Sequence, residues 1–485
     1  MAGAREKGPR VAILGAGMSG LCMGIALKRA GLDDFVIYEK ADNVGGTWRD
    51  NTYPGVACDV PSHLYSYSFA PNPDWSHVYA PGAEIQAYFE RCATIYGLWP
   101  HMKLGQEVTD ARFDEAGHRW RLTTGAGEHD TADVLVSAIG ALHIPNHPDI
   151  AGLDGFAGSV MHSAAWNPGI ELSGKRVAVI GSAASAVQIV PSIADGAGHI
   201  EVFQRTPNWI IPRLDRAYPK SWKRAFRRLP FLGRLHRWQL YWMLESRFPL
   251  FLRRNRRNER EKRLALRHLE SQVPDPDLRA KLTPDYPPGC KRILVSDDYY
   301  PALALEHVHL VTEPIARIEP DGIVTTDGAL HHAEMIILAT GFRTTDMPKT
   351  EITGRGGLTL NEAWKDGMAA HRTVAVPGFP NFFMLLGPNS GLGHSSIIFM
   401  VEQQVRYLMQ CLRKLVARRT IEPRPDSAAR FDAALQRGLA GTIWQAGCKS
   451  WYQDENGKIT TLWPHGTIRY WWDMRKVRFG EYTLK

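Results

Sequence analysis

The chain has 485 residues, 44% apolar and 22% charged, enough for roughly two to four domains with real cores. That balance excludes disordered, collagen-like and low-complexity classes. The net charge is +8, but residues 213–281 alone hold 20 Lys/Arg against 7 Asp/Glu; the excess is local and no nucleic-acid motif accompanies it, so nucleic acid is not an expected partner.

Met1 to Arg10 carries no apolar leader core, and no run of about 18 uncharged apolar residues follows anywhere. Neither a secretory signal nor a spanning helix is expected, and the reading is cytoplasmic. Six cysteines (Cys22, Cys58, Cys92, Cys290, Cys411, Cys448) are scattered without a C-x-x-C pair. The spacing argues against a disulfide-stapled scaffold, a zinc ribbon and a thioredoxin-type couple, and reads as a reduced protein. No His/Cys/Asp cluster has metal-ligand spacing, so no metal is expected.

Residues 11–39 read as strand, glycine turn, helix, strand. Val11–Leu14 is apolar, and Gly15-Ala-Gly17-Met-Ser-Gly20 follows it. Apolar residues then recur at helical spacing, and Phe35–Tyr38 ends at Glu39. Gly15 makes the tight turn, Gly17 lets backbone N–H groups approach a pyrophosphate, and Gly20 lets the helix pack on the sheet. Glu39 suits ribose hydroxyls.

A second unit opens at Arg176. Arg176–Ile180 is a strand, and Gly181-Ser182-Ala-Ala-Ser185-Ala186 occupies the turn, with alanine at the second and third glycine positions. The offset supports the same reading: Glu39 lies 24 residues after Gly15, and Arg205 lies 24 after Gly181. An acid suits a free ribose, whereas a forked guanidinium suits a 2′-phosphate. FAD is therefore expected in the first unit and NADPH in the second. Val134–Gly140 and Met335–Gly341 are strands that leave on glycine, as turns beside a cofactor do.

Between the units, Phe156-Ala-Gly158-Ser-Val-Met-His162-Ser-Ala-Ala-Trp166 matches F-x-G-x-x-x-H-x-x-x-W. The chain resembles the Baeyer–Villiger flavoprotein monooxygenases. Gly45-Gly46-Thr47-Trp48 is similar to the family's flavin-side segment, and Tyr53-Pro-Gly-Val-Ala-Cys-Asp59 to its Y-P-G-x-x-C-D block. Phe203-Gln-Arg205-Thr206-Pro207 and Gly289-Cys-Lys291-Arg292 are similar to its NADP-contacting and oxygenation segments, and Leu386-Gly-Pro-Asn389-Ser390 to its flavin-domain return. Asn167 follows Trp166 where the family usually has Pro or Asp.

The resemblance implies an α/β protein with two Rossmann-like domains. FAD-binding parts would occupy 1–145 and 330–485, with an NADP domain at 146–329 carrying a basic helical insertion at about 214–285. It implies NADPH- and O2-dependent conversion of apolar ketones to esters or lactones through a C4a-peroxyflavin. Arg292 would be the catalytic cation, with Asp59 orienting it. Gly46, Thr47, Trp48, Asp59, Tyr65 and Asn389 would join the flavin site, with Ser182, Ser185, Thr206 and Lys291 at NADPH. Gly158, His162 and Trp166 would serve the linker, His162 as a hydrogen-bonded coupling residue rather than a proton carrier.

Two alternatives stay open: an N/S-oxygenating flavin monooxygenase, and a non-catalytic, membrane-associated flavin-binding protein. The insertion reads first as helices with a solvated basic face. The sharper reading adds an apolar vestibule resting peripherally on anionic membranes. The C-terminal aromatics (Trp444, Trp451, Tyr452, Trp463, Tyr470, Trp471, Trp472) fit either a pocket lining or a core.

Overall fold

The short apolar runs that end in glycine become the central strands of two parallel sheets. The computed structural model describes residues 8–485 except 254, 345–348, 417–418 and 449; residues 1–7 of the leading segment lie outside it. In chain order the sheet strands are β1 (Val11–Leu14), β2 (Phe35–Tyr38), β3 (Met102–Lys103) and β4 (Val134–Ser137), followed by β5 (Ser159–His162), β6 (Arg176–Ile180), β7 (His199–Phe203), β8 (Val308–Val311), β9 (Met335–Leu338) and β10 (Phe382–Met384). The first sheet has the order β10-β4-β1-β2-β3, and the second β8-β7-β6-β9-β5. Strands β1, β2, β4 and β9 are buried at every residue, as expected where helices cover both faces of a parallel sheet.

The two sheets are built by the same steps. Each first strand pairs with its successor (Val11 opposite Phe35; Arg176 opposite His199) and with a later exit strand (Val11 opposite Val134; Val177 opposite Met335). Helix α1 (Met18–Arg29) or α2 (Ala184–Ile193) makes the first crossover. An antiparallel three-stranded excursion precedes each exit strand, at 108–132 in one unit and 315–332 in the other. Each sheet then borrows its outer strand from the connection to the other unit. β5, carrying the F-x-G-x-x-x-H pattern, completes the second sheet with His162 opposite Leu338. After the second unit, β10 returns to complete the first.

One expected boundary moves. Met335–Leu338 pairs with β6 and β5, so the second unit continues to the exit at Gly341 instead of ending at 329. The apolar strand and its alternating neighbours could not reveal which sheet it joined.

Among the described residues the basic insertion forms four α-helices, Lys220–Arg228, α3 (Pro230–Glu245), α4 (Arg256–Gln272) and Pro276–Leu282, with a 3-10 turn at Phe248–Phe251. Its root is zipped by a two-residue parallel pair, Ile210 opposite Leu294 and Ile211 opposite Val295. Leu240 and Leu244 on α3 pack on Leu64 of the first unit. Leu269 on α4, with Val273 and Leu282, joins the core of the second. No helix among the described residues is long and apolar enough to cross a membrane.

The cysteines are not uniformly reduced, contrary to the expectation from their spacing. Cys290 and Cys448 form a disulfide across 158 residues. They meet because the segment bearing Lys291 and Arg292 packs on the C-terminal aromatic core of Phe251, Trp444 and Tyr452. Local spacing rules detect only local pairs. The other four cysteines are free and buried.

Two stability predictions follow from this packing. A cross-link closing so long a loop typically contributes about 2–4 kcal/mol, so Cys448→Ser should lower the melting temperature under non-reducing conditions to the value of the reduced wild type. Burial also holds His63 down at about 3, and His162 and His371 at about 4. Unfolding lets each regain an ordinary value near 6.5, so the unfolded chain binds more protons between those limits. Stability should be full above about pH 6.5 and fall steadily towards pH 4; thermal melts across that range read the slope, and His63→Phe, inside its cage of Tyr218, Phe226 and His236, should flatten it.

Candidate active site

The first glycine turn is shaped by contacts that leave no room for side chains. Gly15 has φ +101°, and a Cβ there would lie 2.8 Å from the Ala138 carbonyl on the exit strand; at Gly20 it would lie 1.9 Å from the Gly15 carbonyl. Gly17 is different: a Cβ would make only ordinary contact, 3.7 Å from the Gly46 Cα. The protein itself does not demand glycine at that position. The clear space above it, at the start of α1, is what a bound pyrophosphate needs. The exit glycine Gly140, φ +73°, likewise faces open space.

Glu39 is buried where β2 ends. It accepts hydrogen bonds from the amides of Ala16 at 2.8 Å and Ala41 at 3.1 Å. Arg49 lies 3.0 Å from the same carboxylate. About four acceptor positions exist on a carboxylate, so one remains for a ribose hydroxyl. Gly46 is left-handed at φ +55° and opens the short helix Thr47–Asp50. From that helix Trp48 donates to the Tyr65 hydroxyl at 3.1 Å, the rings meeting edge-on. The fit to a flavin dinucleotide is therefore good at the turn, the acid and the aromatic wall. The Asn389 amide donates to the Ile459 and Leu462 carbonyls at 2.9 and 3.0 Å and fastens the return segment.

The second turn repeats this geometry. Gly181, at φ +112°, presses on the Ala339 carbonyl as Gly15 presses on that of Ala138. Its amide donates to the Phe203 carbonyl, as the Gly15 amide does to that of Tyr38. Ala183 sits exposed at the start of α2, and Ala186, in the place of Gly20, is fully buried. The alanines are thus accommodated by this unit's own packing. Ser182 donates to the Thr206 carbonyl, and Asn208 to the Ser182 carbonyl at 2.9 Å, tying the turn to the end of β7. Ser185 lies in the first turn of α2, beside Tyr53. Arg205 is exposed. Partial burial and the charge of Arg205 together make Lys291 easier to deprotonate than usual, the mark of two cations converging on a place where an anion would relieve both.

The two units are latched together at the Y-P-G block. Tyr53 donates to Gln188 on α2 at 3.0 Å, and Gln188 returns a bond to the Ala57 carbonyl. A Cβ at Gly55 would strike the Gln188 carbonyl at 2.5 Å. Directly beyond the latch, Asp59 holds Arg292. One oxygen, Oδ2, accepts from Nε at 3.0 Å and also from Nη2. Burial would raise the Asp59 carboxyl, but Arg292, its own backbone and Arg213 outweigh that and hold it below the usual range. Asp59 in turn makes the guanidinium still harder to deprotonate. Two-fifths of the Arg292 side chain remains accessible, so a permanent cation is partly exposed with N–H donors unspent.

The linker residues take supporting positions. Gly158 allows β5 to start against the Glu334 carbonyl, 2.3 Å from where a Cβ would sit. His162 is buried and neutral, its Nδ1 accepting from the Ala164 amide at 3.0 Å, and Trp166 packs on the core of the second unit. Sequence did not place three neighbours at the site, although Tyr452 stands among the aromatics named as pocket lining or core. Arg213 reaches the Cys58 carbonyl at 3.4 Å; it had counted only as one charge of the basic segment. Tyr452, pushed up to about 12 by burial, feels both Arg292 and Asp59. Arg49 pairs with Glu39. Only their folded proximity connects them to the site. Among the described residues no cluster of His, Cys, Asp or Glu could hold a metal ion.

Comparison with known proteins agrees with this geometry. The model of the flavin-binding monooxygenase-like family matches residues 8–351. A Baeyer–Villiger monooxygenase of Streptomyces coelicolor is 45% identical over 98% of this chain and 92% of its own length. One from Pseudomonas aeruginosa is 44% identical over 95% and 88%. The crystal structure of OTEMO in complex with FAD and NADP superposes with a TM-score of 0.89 at 27% identity, covering 98% of this chain and 99% of that one. Matched over nearly its whole length, the chain belongs to the Baeyer–Villiger monooxygenase family of flavin-binding monooxygenases.

Proposed function

We infer that this chain is an FAD- and NADPH-dependent monooxygenase that inserts one oxygen atom of O2 into apolar ketones, giving esters or lactones. The observation that carries the reading is the Asp59–Arg292 pair: a fixed cation beside the latch of the two nucleotide units, oriented by one carboxylate oxygen and partly accessible. The first sheet with its return would hold FAD, and the second NADPH. Bound FAD supplies the chemistry of taking hydride from NADPH and activating O2. The chain's own part is placement and electrostatics.

Arg205 and Lys291 would grip the 2′-phosphate, while the Gly181–Ser185 turn receives the pyrophosphate. Lys291 and Arg292, adjacent at a bend of the chain, would serve different ligands. Arg292 would present its unspent N–H groups to the negative charge that develops on oxygen as a ketone carbonyl is attacked. Such stabilisation works because the donors are already in place. Asp59 keeps the guanidinium from rotating and balances its charge before substrate arrives. Trp48 and Tyr65 would wall the flavin side and exclude water.

Gas chromatography–mass spectrometry of a panel of linear, cyclic, aryl and steroidal ketones, with NADPH and air, tests the reading: products one oxygen heavier than their ketones are expected, and untouched ketones with oxidised sulfides or amines would refute it. Arg292→Ala should still consume NADPH but lose ester formation by roughly 10²–10³-fold, the usual cost of one preorganised charge-stabilising group. Arg205→Ala should raise the KM for NADPH by about tenfold while leaving that for NADH nearly unchanged, since one charge-assisted contact to the phosphate is worth about 1.5–3 kcal/mol; steady-state kinetics with both cofactors measures the split.

A further inference from the structure

Helix α3 turns an apolar seam to solvent. Phe231, Leu235, Trp238 and Trp242 recur along one face and are between 42% and 60% exposed, although this spacing normally marks a buried stripe. The helix cannot simply roll to hide them. Arg237, on its inner side, donates to the carbonyls of His63, Leu64 and Ser66 at 2.6, 3.2 and 2.9 Å. At its end, Glu245 accepts from the Thr467 amide and hydroxyl at 3.1 and 2.6 Å and from His394. That carboxylate caps α6 (Thr467–Met474), which adds Ile468, Trp471 and Trp472 to the exposed apolar surface.

Between these helices and α5 (Ile397–Leu415) runs an open groove of about 1170 Å³. Trp238, Tyr241, Ile468 and Trp471 line it, so the seam and the C-terminal tryptophans form one continuous patch. Its charged rim is basic: Arg234, Arg406, Arg413 and Arg475 border the groove, and Arg475 stacks on Trp472. Among the described residues lining the groove the one carboxylate, Glu402, is already engaged by the Ser68 amide at 2.6 Å. Just before α3, Lys220–Arg228 adds five further cations, of which Arg227 is paired with Asp74.

We propose that this patch is a docking surface for anionic lipid bilayers. Tryptophans amid arginines suit the interfacial layer, the rings at headgroup depth and the guanidinium groups on lipid phosphates. A second copy of the chain is the poorer occupant. Across a two-fold axis the same patch meets itself, which would bring the arginine rims of both copies together. The highly charged α4 is not the contact: its apolar side is spent on the second unit's core and it presents no aromatic seam. Docking would hold the enzyme where lipophilic ketones concentrate; that consequence alone rests on the reaction assigned above.

Flotation of the flavin-loaded, full-length protein with vesicles tests the proposal independently of turnover. Binding is expected to phosphatidylglycerol/phosphatidylcholine vesicles at low salt, with release near 1 M salt, where the screening length is ~3 Å, and none to pure phosphatidylcholine. Arg234→Glu should weaken binding by roughly fivefold or more, as expected for one basic contact at a charged surface. Trp238→Glu/Trp242→Glu should abolish flotation while bound flavin and NADPH oxidation stay at wild-type levels. Failure to float with anionic vesicles, equal binding to neutral ones, or flotation unchanged in both variants would overturn the proposal. So would a concentration-dependent dimer, seen by analytical ultracentrifugation, that the double tryptophan variant dissolves.

Discussion

A single carboxylate oxygen gathers the parts of this molecule that chemistry must bring together. Asp59 Oδ2 receives both Nε and Nη2 of Arg292, 233 residues further along the chain. With 40% of the arginine and 29% of the aspartate side chain accessible, such a pair contributes about 0–1 kcal/mol to stability. Its value is positional. Asp59 stands directly after the latch that joins the first unit to α2, and Arg292 directly after Lys291, which answers electrostatically to Arg205. The pair therefore reports the register of both nucleotide units at once. The disulfide at Cys290 fixes the same segment from the other side, against the aromatic core that presents Tyr452.

Both units answer one steric constraint. The first strand must turn sharply into its helix while lying against the exit strand, and only glycine can occupy the point of contact. Gly15 against Ala138 and Gly181 against Ala339 are the same solution used twice. Later positions in the turn are freer. Gly20 is forced by the Gly15 carbonyl, yet the second unit buries Ala186 at the corresponding place. The first residue of the motif thus belongs to the fold, and the later ones record how closely a particular helix approaches. At the far ends of β2 and β7, Glu39 and Arg205 present opposite charges, and the proposed choice between the two dinucleotides would be made there.

That distinction explains how much could be read before folding. Turn glycines, strand runs and the 24-residue offset are local, so the doubled architecture and its two charged strand ends were legible, as was the linker pattern around His162. Whatever depends on contacts between distant segments was not. Met335–Leu338 has the same apolar character whichever sheet it joins, so its place in the second sheet was hidden. Cys290 and Cys448 carry no shared spacing. Arg213 was indistinguishable from other charges of a basic segment, and the C-terminal aromatics looked alike although Trp444, Tyr452, Trp463 and Tyr470 are buried while Trp471 and Trp472 are exposed. That the amide of Asn389 bonds two carbonyls of the return segment was equally hidden, because its partners lie some 70 residues away.

The insertion shows how a long excursion can coexist with a precisely placed arginine. Its root is the short parallel pair of Ile210–Ile211 with Leu294–Val295. Arg213 and Arg292 lie just inside its two edges, one shortly after Ile211 and the other shortly before Leu294, and both face the Asp59 side of the site. Once the root is closed, lengthening the excursion adds only slowly to the entropy cost, roughly 0.6 kcal/mol per doubling of a flexible loop. The helices beyond the root are then free to answer other demands. α3 braces the first unit through Leu240 and Leu244, α4 braces the second through Leu269, and the apolar seam between Phe231 and Trp242 stays outside without disturbing either. Because both ends of the excursion converge on one carboxylate, the shape of the insertion can vary while the guanidinium keeps its orientation.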